Sequence, residues 1–142
     1  MAGLKYLRNR PDVDIYRMAI MGHSFGGSLA LLVADHDPGL KAVVSFAGSG
    51  YSWNLSPGLR FRLIRAVENI KSPILIVHAK NDYSTTPGFA LDSVMNRLGR
   101  PHQLKIYPAF GKSTNEGHNF IFLDVKSWQA DVFEFLSESL QP

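Results

Sequence analysis

The residues Gly22-His23-Ser24-Phe25-Gly26 place a serine between two glycines, directly after an apolar run and directly before a helical pattern. This Gly-x-Ser-x-Gly spacing suits a nucleophile held on a sharp strand-to-helix turn. So tight a turn forces a strained serine backbone, and side chains two positions to either side are expected to collide with it or with the neighbouring strand. The turn lifts the Ser24 hydroxyl above the sheet at a helix N-terminus. There the backbone N–H of Phe25 and the helix dipole can stabilise negative charge growing on a substrate oxygen. Neither Gly-x-x-x-x-Gly-Lys-Ser/Thr nor Gly-x-Gly-x-x-Gly occurs, so phosphate cradling has no support.

A serine hydroxyl is a weak nucleophile until a base takes its proton, and that base needs an orienting acid. In a parallel sheet both belong on loops at the carboxyl ends of later strands. Asp82 lies in such a loop, after the strand pattern Ile74–His78. His118 lies in another, Pro108–Asn119, after the strand pattern Gln103–Tyr107. The chain order is therefore Ser24, Asp82, His118.

Other polar residues compete less well. His23 adjoins Ser24, but a tight elbow turns its side chain toward packing or hydrogen bonding. His78 ends a strand and reads as a buried, satisfied histidine. His36 and His102 read as solvent-facing, at a helix end and a strand entry. Asp35 and Asp37 sit at the far end of the first helix, about 1.5 Å further from the elbow with each residue. Asp124 reads as a helix cap and Glu116 as a solvated loop carboxylate. Tyr51, Trp53 and Phe110 leave the same sheet edge and either wall an apolar pocket beside Phe25 or complete the core. No His-x-x-x-His or His-Glu-x-x-His spacing exists, so neither a metal nor another cofactor is expected.

The elements that must position these groups alternate along the chain. Strand patterns fall at Tyr16–Met21, Ala42–Ala47, Ile74–His78 and Gln103–Tyr107. Helical patterns run from Phe25 to about Asp35, from about Pro87 to Leu98, with Thr86 and Gly99 as caps, and from Val125 to Leu140. Ser56–Ile70 reads as a loop plus one helix. Near-continuous Val/Ile/Leu strands alternating with helices predict an α/β fold, a mostly parallel sheet of about four strands flanked by helices. At 142 residues, 45% hydrophobic and 19% charged, the chain has the size and composition of one ordered domain, taken here as 1–142. It has no cysteine, which removes disulfides and thiolate chemistry. No apolar run is long enough to span a membrane, and the first residues carry no secretory h-region, so a cytoplasmic chain without membrane contact is expected. A net charge of +3 without a basic run or a reader motif argues against nucleic acid.

With the three loops in order, the sequence resembles the α/β-hydrolase superfamily, and within it the dienelactone-hydrolase-like and prolyl-oligopeptidase-like small serine hydrolases. The stretches GHSFGG, HAKNDYSTTPG and FGKSTNEGHNF are similar to that group's three active-site segments. The resemblance implies Ser24 as nucleophile, His118 as general base and then acid, and Asp82 as the orienting acid. Dienelactone hydrolases carry cysteine at the elbow, so serine here points to esters or amides rather than lactones. The resemblance also implies the carboxyl-terminal half of the usual domain, without the loop that supplies a second oxyanion N–H. The expected function is hydrolysis of small, short-chain carboxylic esters. The alternatives are a peptidase or amidase of the same fold, and a weakly active or inactive binding module. An apolar edge strand at 16–21 leads us to expect a homodimer formed through that edge.

Overall fold

Four short runs form the strands, the central two rich in Val and Ile. In the computed structural model, which describes residues 1–141, these are β1 (Ala19–His23), β2 (Ala42–Phe46), β3 (Ile74–Ala79) and β4 (His102–Tyr107). All neighbouring pairs are parallel, in the order β1-β2-β3-β4, with Met21 opposite Val44, Val44 opposite Leu75 and Leu75 opposite Gln103. Parallel neighbours need crossovers, and α2 (Phe25–Asp35), α3 (Pro57–Asn69) and α4 (Thr86–Arg97) supply them. All three helices pack on the same face, as right-handed crossovers between strands that advance in one direction require. Shorter α1 (Ala2–Arg8) precedes β1, and α5 (Thr114–His118), α6 (Phe120–Leu123) and α7 (Val125–Ser139) follow β4.

Alternation along the strands splits the core in two. Val43, Ile74 and Ile76 point to one side and pack with Leu31, Ala34, Leu63, Val67, Leu91 and Met95 of α2, α3 and α4. Val44, Phe46, Leu75 and Val77 point to the other and pack with Phe120, Ile121, Trp128, Val132 and Phe135. Phe46 and Trp128 meet edge to face, with ring centroids 5.0 Å apart. β2 and β3 are buried along their whole length, whereas β1 lies at a sheet edge with Met21 half-exposed. Among the described residues no helix is long and apolar enough to cross a membrane.

Three elements differ markedly from their sequence readings, and α4 begins one residue early, with Thr85 rather than Thr86 at its N-cap. The first strand begins at Ala19 rather than Tyr16. Residues 14–17 turn instead, with the Arg17 N–H donating to the Asp14 carbonyl and the Tyr16 N–H to its carboxylate. Ser56–Ile70 is almost wholly helix. Ser56 caps α3 by accepting the Leu59 N–H, and Pro57 opens it with a φ already set for helix. The loop expected at 108–119 contains α5, built by a capping box in which Ser113 accepts from the Glu116 N–H and Glu116 accepts from the Ser113 N–H.

Helix α1 is fastened far from the elbow. The Arg8 guanidinium donates two hydrogen bonds, of 2.7 and 2.6 Å, to the buried carboxylate of Asp37 just past the end of α2. Asp37 is thereby occupied away from Ser24.

Packing on α2 gives a clear contrast. Leu31→Ala, at a position 1% exposed, should cost about 2–5 kcal/mol of unfolding free energy. Leu29→Ala, at a position 45% exposed on the same helix, should cost about 0.5 kcal/mol or less, both being read by urea denaturation.

Candidate active site

The β1–α2 corner is where two backbones come closest. A Cβ on Gly22 would strike the Gly26 carbonyl, and one on Gly27 would lie 2.8 Å from the Phe46 carbonyl oxygen and 2.9 Å from the Ser45 hydroxyl. The N–H of Ser24 donates to the Phe46 carbonyl at 2.8 Å, which pins the corner to β2. Between these constraints Ser24 adopts φ 56°, ψ −119°, a conformation that side-chain-bearing residues rarely enter. Gly26, by contrast, faces open space. The crowding expected on both sides of the serine therefore falls on Gly22 and Gly27, because Gly26 already lies on the outer surface of the first helical turn. Helix α2 starts at Phe25, so the Phe25 N–H has no partner within the helix and lies beside Ser24. The Phe25 ring is 74% exposed.

The loops after β3 and β4 bring the other two groups to this corner. The Ser24 hydroxyl donates to His118 Nε2 at 2.9 Å, and His118 Nδ1–H donates to Asp82 Oδ1 at 2.7 Å. Asp82 Oδ1 also accepts the Tyr83 N–H at 2.7 Å, and its Oδ2 accepts from Nδ1–H of His78 at 2.7 Å. Burial alone would push the Asp82 carboxyl up; the hydrogen bonds from His118 and His78 outweigh it and hold the group down at about 2. An ionised Asp82 requires an N–H on Nδ1 of His118, which leaves the Nε2 lone pair facing the hydroxyl. Hydroxyl, imidazole and carboxylate thus form one continuous path along which a proton can leave oxygen.

Several residues that sequence reasoning gave no site role hold this geometry. His23 Nε2–H donates to the His118 carbonyl at 2.8 Å, and burial keeps the His23 imidazole below its usual range. The rings of His23 and Tyr83 flank His118 at 4.8 and 4.6 Å. Asn81 ties the two loops together. Its side-chain amide donates to the carbonyls of Phe110 and Ser113 and accepts the Phe110 N–H, while Gly117 lies against it too closely for any Cβ. The only trace of this in the sequence is the position of Asn81 next to Asp82, and a polar loop residue there otherwise reads as solvated.

A cleft of about 190 Å³ opens beside Ser24, lined by Phe25, Ser28, Ser49, Gly50, Tyr51 and Ser52. On its inner side the buried hydroxyls of Ser28 and Ser49 lie 2.7 Å apart. Ala47 and Ser49 have φ of 51° and 60°, so the turn after β2 is strained into place. A hollow of about 490 Å³ between α1 and the end of α2 is larger but lies away from Ser24 and has no serine in its lining. Of the three expected pocket aromatics, Tyr51 lines the cleft, and the other two do not. Trp53 is buried in the core on the α2–α4 side, and Phe110 packs against the core of the opposite face. A large ring lowers free energy most by removing its area from water, and in both cases the core offered more contact than the cleft.

The competing residues are occupied elsewhere. His36 is exposed. His102 is half-buried rather than solvent-facing, because its ring bridges the Asp92 carboxylate and the Arg100 carbonyl. Glu116 serves the α5 capping box. Among the described residues, no three His, Asp or Glu side chains are grouped to hold a metal ion.

A parallel sheet flanked by helices, with a strained serine at a strand-to-helix corner facing a histidine and a carboxylate, is the α/β-hydrolase arrangement. Residues 1–139 match the model of the dienelactone hydrolase family, and the chain belongs to that family. No curated protein matches it in sequence. In structure it is similar to the acylaminoacyl peptidase of Pyrococcus horikoshii, with 20% identity and a TM-score of 0.72 over 96% of this chain and 26% of the peptidase. It is also similar to an esterase of Pyrococcus furiosus, with 15% identity and a TM-score of 0.76 over 99% of this chain and 60% of the esterase. The chain therefore spans less than two thirds of either protein, and identities this low speak to the fold alone.

Two outcomes follow from the geometry. Gly22→Ala should destabilise the fold and open the corner, because its methyl group meets fixed backbone; Gly26→Ala should be nearly neutral, and thermal melts of both check this. Asp82, depressed in the folded state, contributes stability that is complete above the unfolded carboxyl value. About 2 kcal/mol of it should disappear as pH falls from about 4 to about 2. Unfolding titrations across that range should show this loss in the wild type and a flatter profile in Asp82→Asn.

Proposed function

We propose that this chain is a serine hydrolase that cleaves short-chain carboxylic esters through an acyl-enzyme on Ser24. The observation that carries the reading is the unbroken hydrogen-bonded path from Ser24 through His118 to Asp82. As the Ser24 oxygen attacks the ester carbonyl carbon, its proton passes to His118 Nε2, and Asp82 stabilises the imidazolium that results. The carbonyl oxygen becomes an oxyanion facing the Phe25 N–H and the start of α2. Collapse expels the alcohol, which takes the proton from His118. Water then gives a proton to His118 and its oxygen to the acyl carbon, and the acid leaves as the Ser24 hydroxyl is restored. A cleft of about 190 Å³ beside Ser24 favours short acyl groups over long ones.

The similarity to an acylaminoacyl peptidase supports a second reading, amide hydrolysis by the same three residues. We also retain the proposal that the outer edge of β1, which pairs with no other strand of the described sheet, joins a second copy of the chain. A dimer by light scattering at micromolar concentration supports that, and a monomer removes it.

The test of the main reading is turnover of p-nitrophenyl acetate, butyrate and octanoate, with fluorophosphonate labelling and peptide mapping. Acetate and butyrate should exceed octanoate, the label should map to Ser24, and Ser24→Ala should lower kcat by about 10³-fold or more. Equal turnover in wild type and Ser24→Ala overturns the proposal, and faster cleavage of a matched anilide than of the ester favours the amidase reading.

A further inference from the structure

His78 is 0% exposed at the end of β3, and the path from Ser24 to Asp82 makes no use of it as base or nucleophile. Its contacts nevertheless are specific. Nδ1 lies 2.7 Å from Asp82 Oδ2, the oxygen that His118 does not take. Nε2 has no hydrogen-bonding partner among the described residues. That end of the ring faces the backbone of Gly88, where a Cβ would lie only 3.0 Å from the ring carbon Cδ2 and 3.2 Å from Nε2, and Leu104 Cδ1 stands at the same place. Gly88 is thus the position on α4 that makes room for the ring.

A carboxylate has two equivalent oxygens and can turn about its Cβ–Cγ bond. A buried oxygen left without a donor is costly, so turning, protonation or displacement would relieve it. Asp82 offers Oδ1 to His118 only if Oδ2 is satisfied from the other side. The donor on that side must not reverse. An amide facing a carboxylate oxygen keeps its N–H toward it, because its own oxygen there would meet a like charge, whereas a hydroxyl can rotate away. The His78 ring has no such freedom, because a proton on Nε2 would be buried against glycine backbone and a leucine methyl with nothing to accept it. Its proton is confined to Nδ1, and its donation to Asp82 runs one way.

We propose that His78 is a positioning residue of the Ser24 site: its fixed Nδ1–H locks the Asp82 carboxylate in the rotation that serves His118. The path then has four members, Ser24, His118, Asp82 and His78, with the last acting only through the third. This rests on the serine-hydrolase reading for its catalytic consequence, but the lock itself is a property of the folded chain and can be observed without turnover. The low value held by Asp82 agrees with two imidazole donors, one on each oxygen, sharing its charge beside the Tyr83 N–H on Oδ1.

Two variants separate donation from packing. His78→Asn removes most of the ring but keeps an N–H near the position of Nδ1; His78→Leu has the same branched outline as asparagine and keeps no donor. Melting temperatures establish that both are folded. In histidine-labelled protein, the low-field Nδ1–H signal of His118 should persist in wild type and His78→Asn, and should broaden or vanish through exchange in His78→Leu. With p-nitrophenyl acetate, His78→Leu should lose about 100-fold in kcat with KM changed less than about threefold, and His78→Asn should recover at least about tenfold of that loss. Retention of the His118 signal in both variants, or equal losses of kcat in both, overturns the lock and leaves His78 as core packing. A wild type that neither turns over ester nor labels at Ser24 overturns the serine-hydrolase reading instead, and the His118 signal still decides the role of His78.

Discussion

Helix α2 lies so close to the sheet that its first turn rests on backbone, and the geometry of the site follows from that contact. Gly27 touches the carbonyl of Phe46, Gly22 passes under the carbonyl of Gly26, and the Ser24 N–H is spent on β2. With its neighbours fixed, Ser24 has one way through the corner, at positive φ. A backbone in such a region costs on the order of 1–3 kcal/mol, which the two buried core layers around β2 and β3 offset many times over. The strain has a direction: it thrusts the hydroxyl off the carboxyl edge of the sheet instead of letting it fold back onto the helix.

What meets that hydroxyl is set by loops, yet the loops are not loose. Asp82 accepts from His78 behind it, from Tyr83 beside it and from His118 in front. Asn81 binds the backbone on the other side of the gap, and His23 reaches across from the elbow to the His118 carbonyl. All of these bonds except that from Asn81 to the Ser113 carbonyl are partly or wholly buried, where an unmade partner is costly, so the set tends to be kept or lost together. Three chain segments far apart in sequence are in this way held in mutual registration to within hydrogen-bond tolerance.

Much of this was legible before any coordinates. β2 and β3 are buried on both faces and read as nearly continuous apolar runs, broken only by Ser45 and His78, and the order Ser24, Asp82, His118 follows from where a parallel sheet puts its loops. The first strand reads three residues too long because Tyr16 and Met18 are apolar, whereas Asp14 draws residues 14–17 into a turn. Trp53 and Phe110 show a deeper limit. An aromatic ring contributes to a pocket wall and to a core by the same burial of area, so its type cannot say which; only the third dimension does. The spelling Ser113-Thr114-Asn115-Glu116 did announce the start of α5, but the surrounding glycine, lysine and asparagine made a loop the simpler reading. Asn81 was invisible for another reason. Its partners are backbone atoms, and backbone leaves no signature in sequence.

The turn after β2 has a consequence for how relatives of this chain can diverge. Its inner members, Ala47 and Ser49, carry the strained backbone, and the Ser49 hydroxyl pairs with Ser28. Its outward members, Tyr51 and Ser52, border the cleft, and Tyr51 keeps 72% of its surface in solvent. Rigidity and the border of the cleft are thus assigned to different positions of one short segment. Drift at 51 and 52 can reshape the entrance while the frame beneath stays put, so new preferences can arise there without first unsettling the fold.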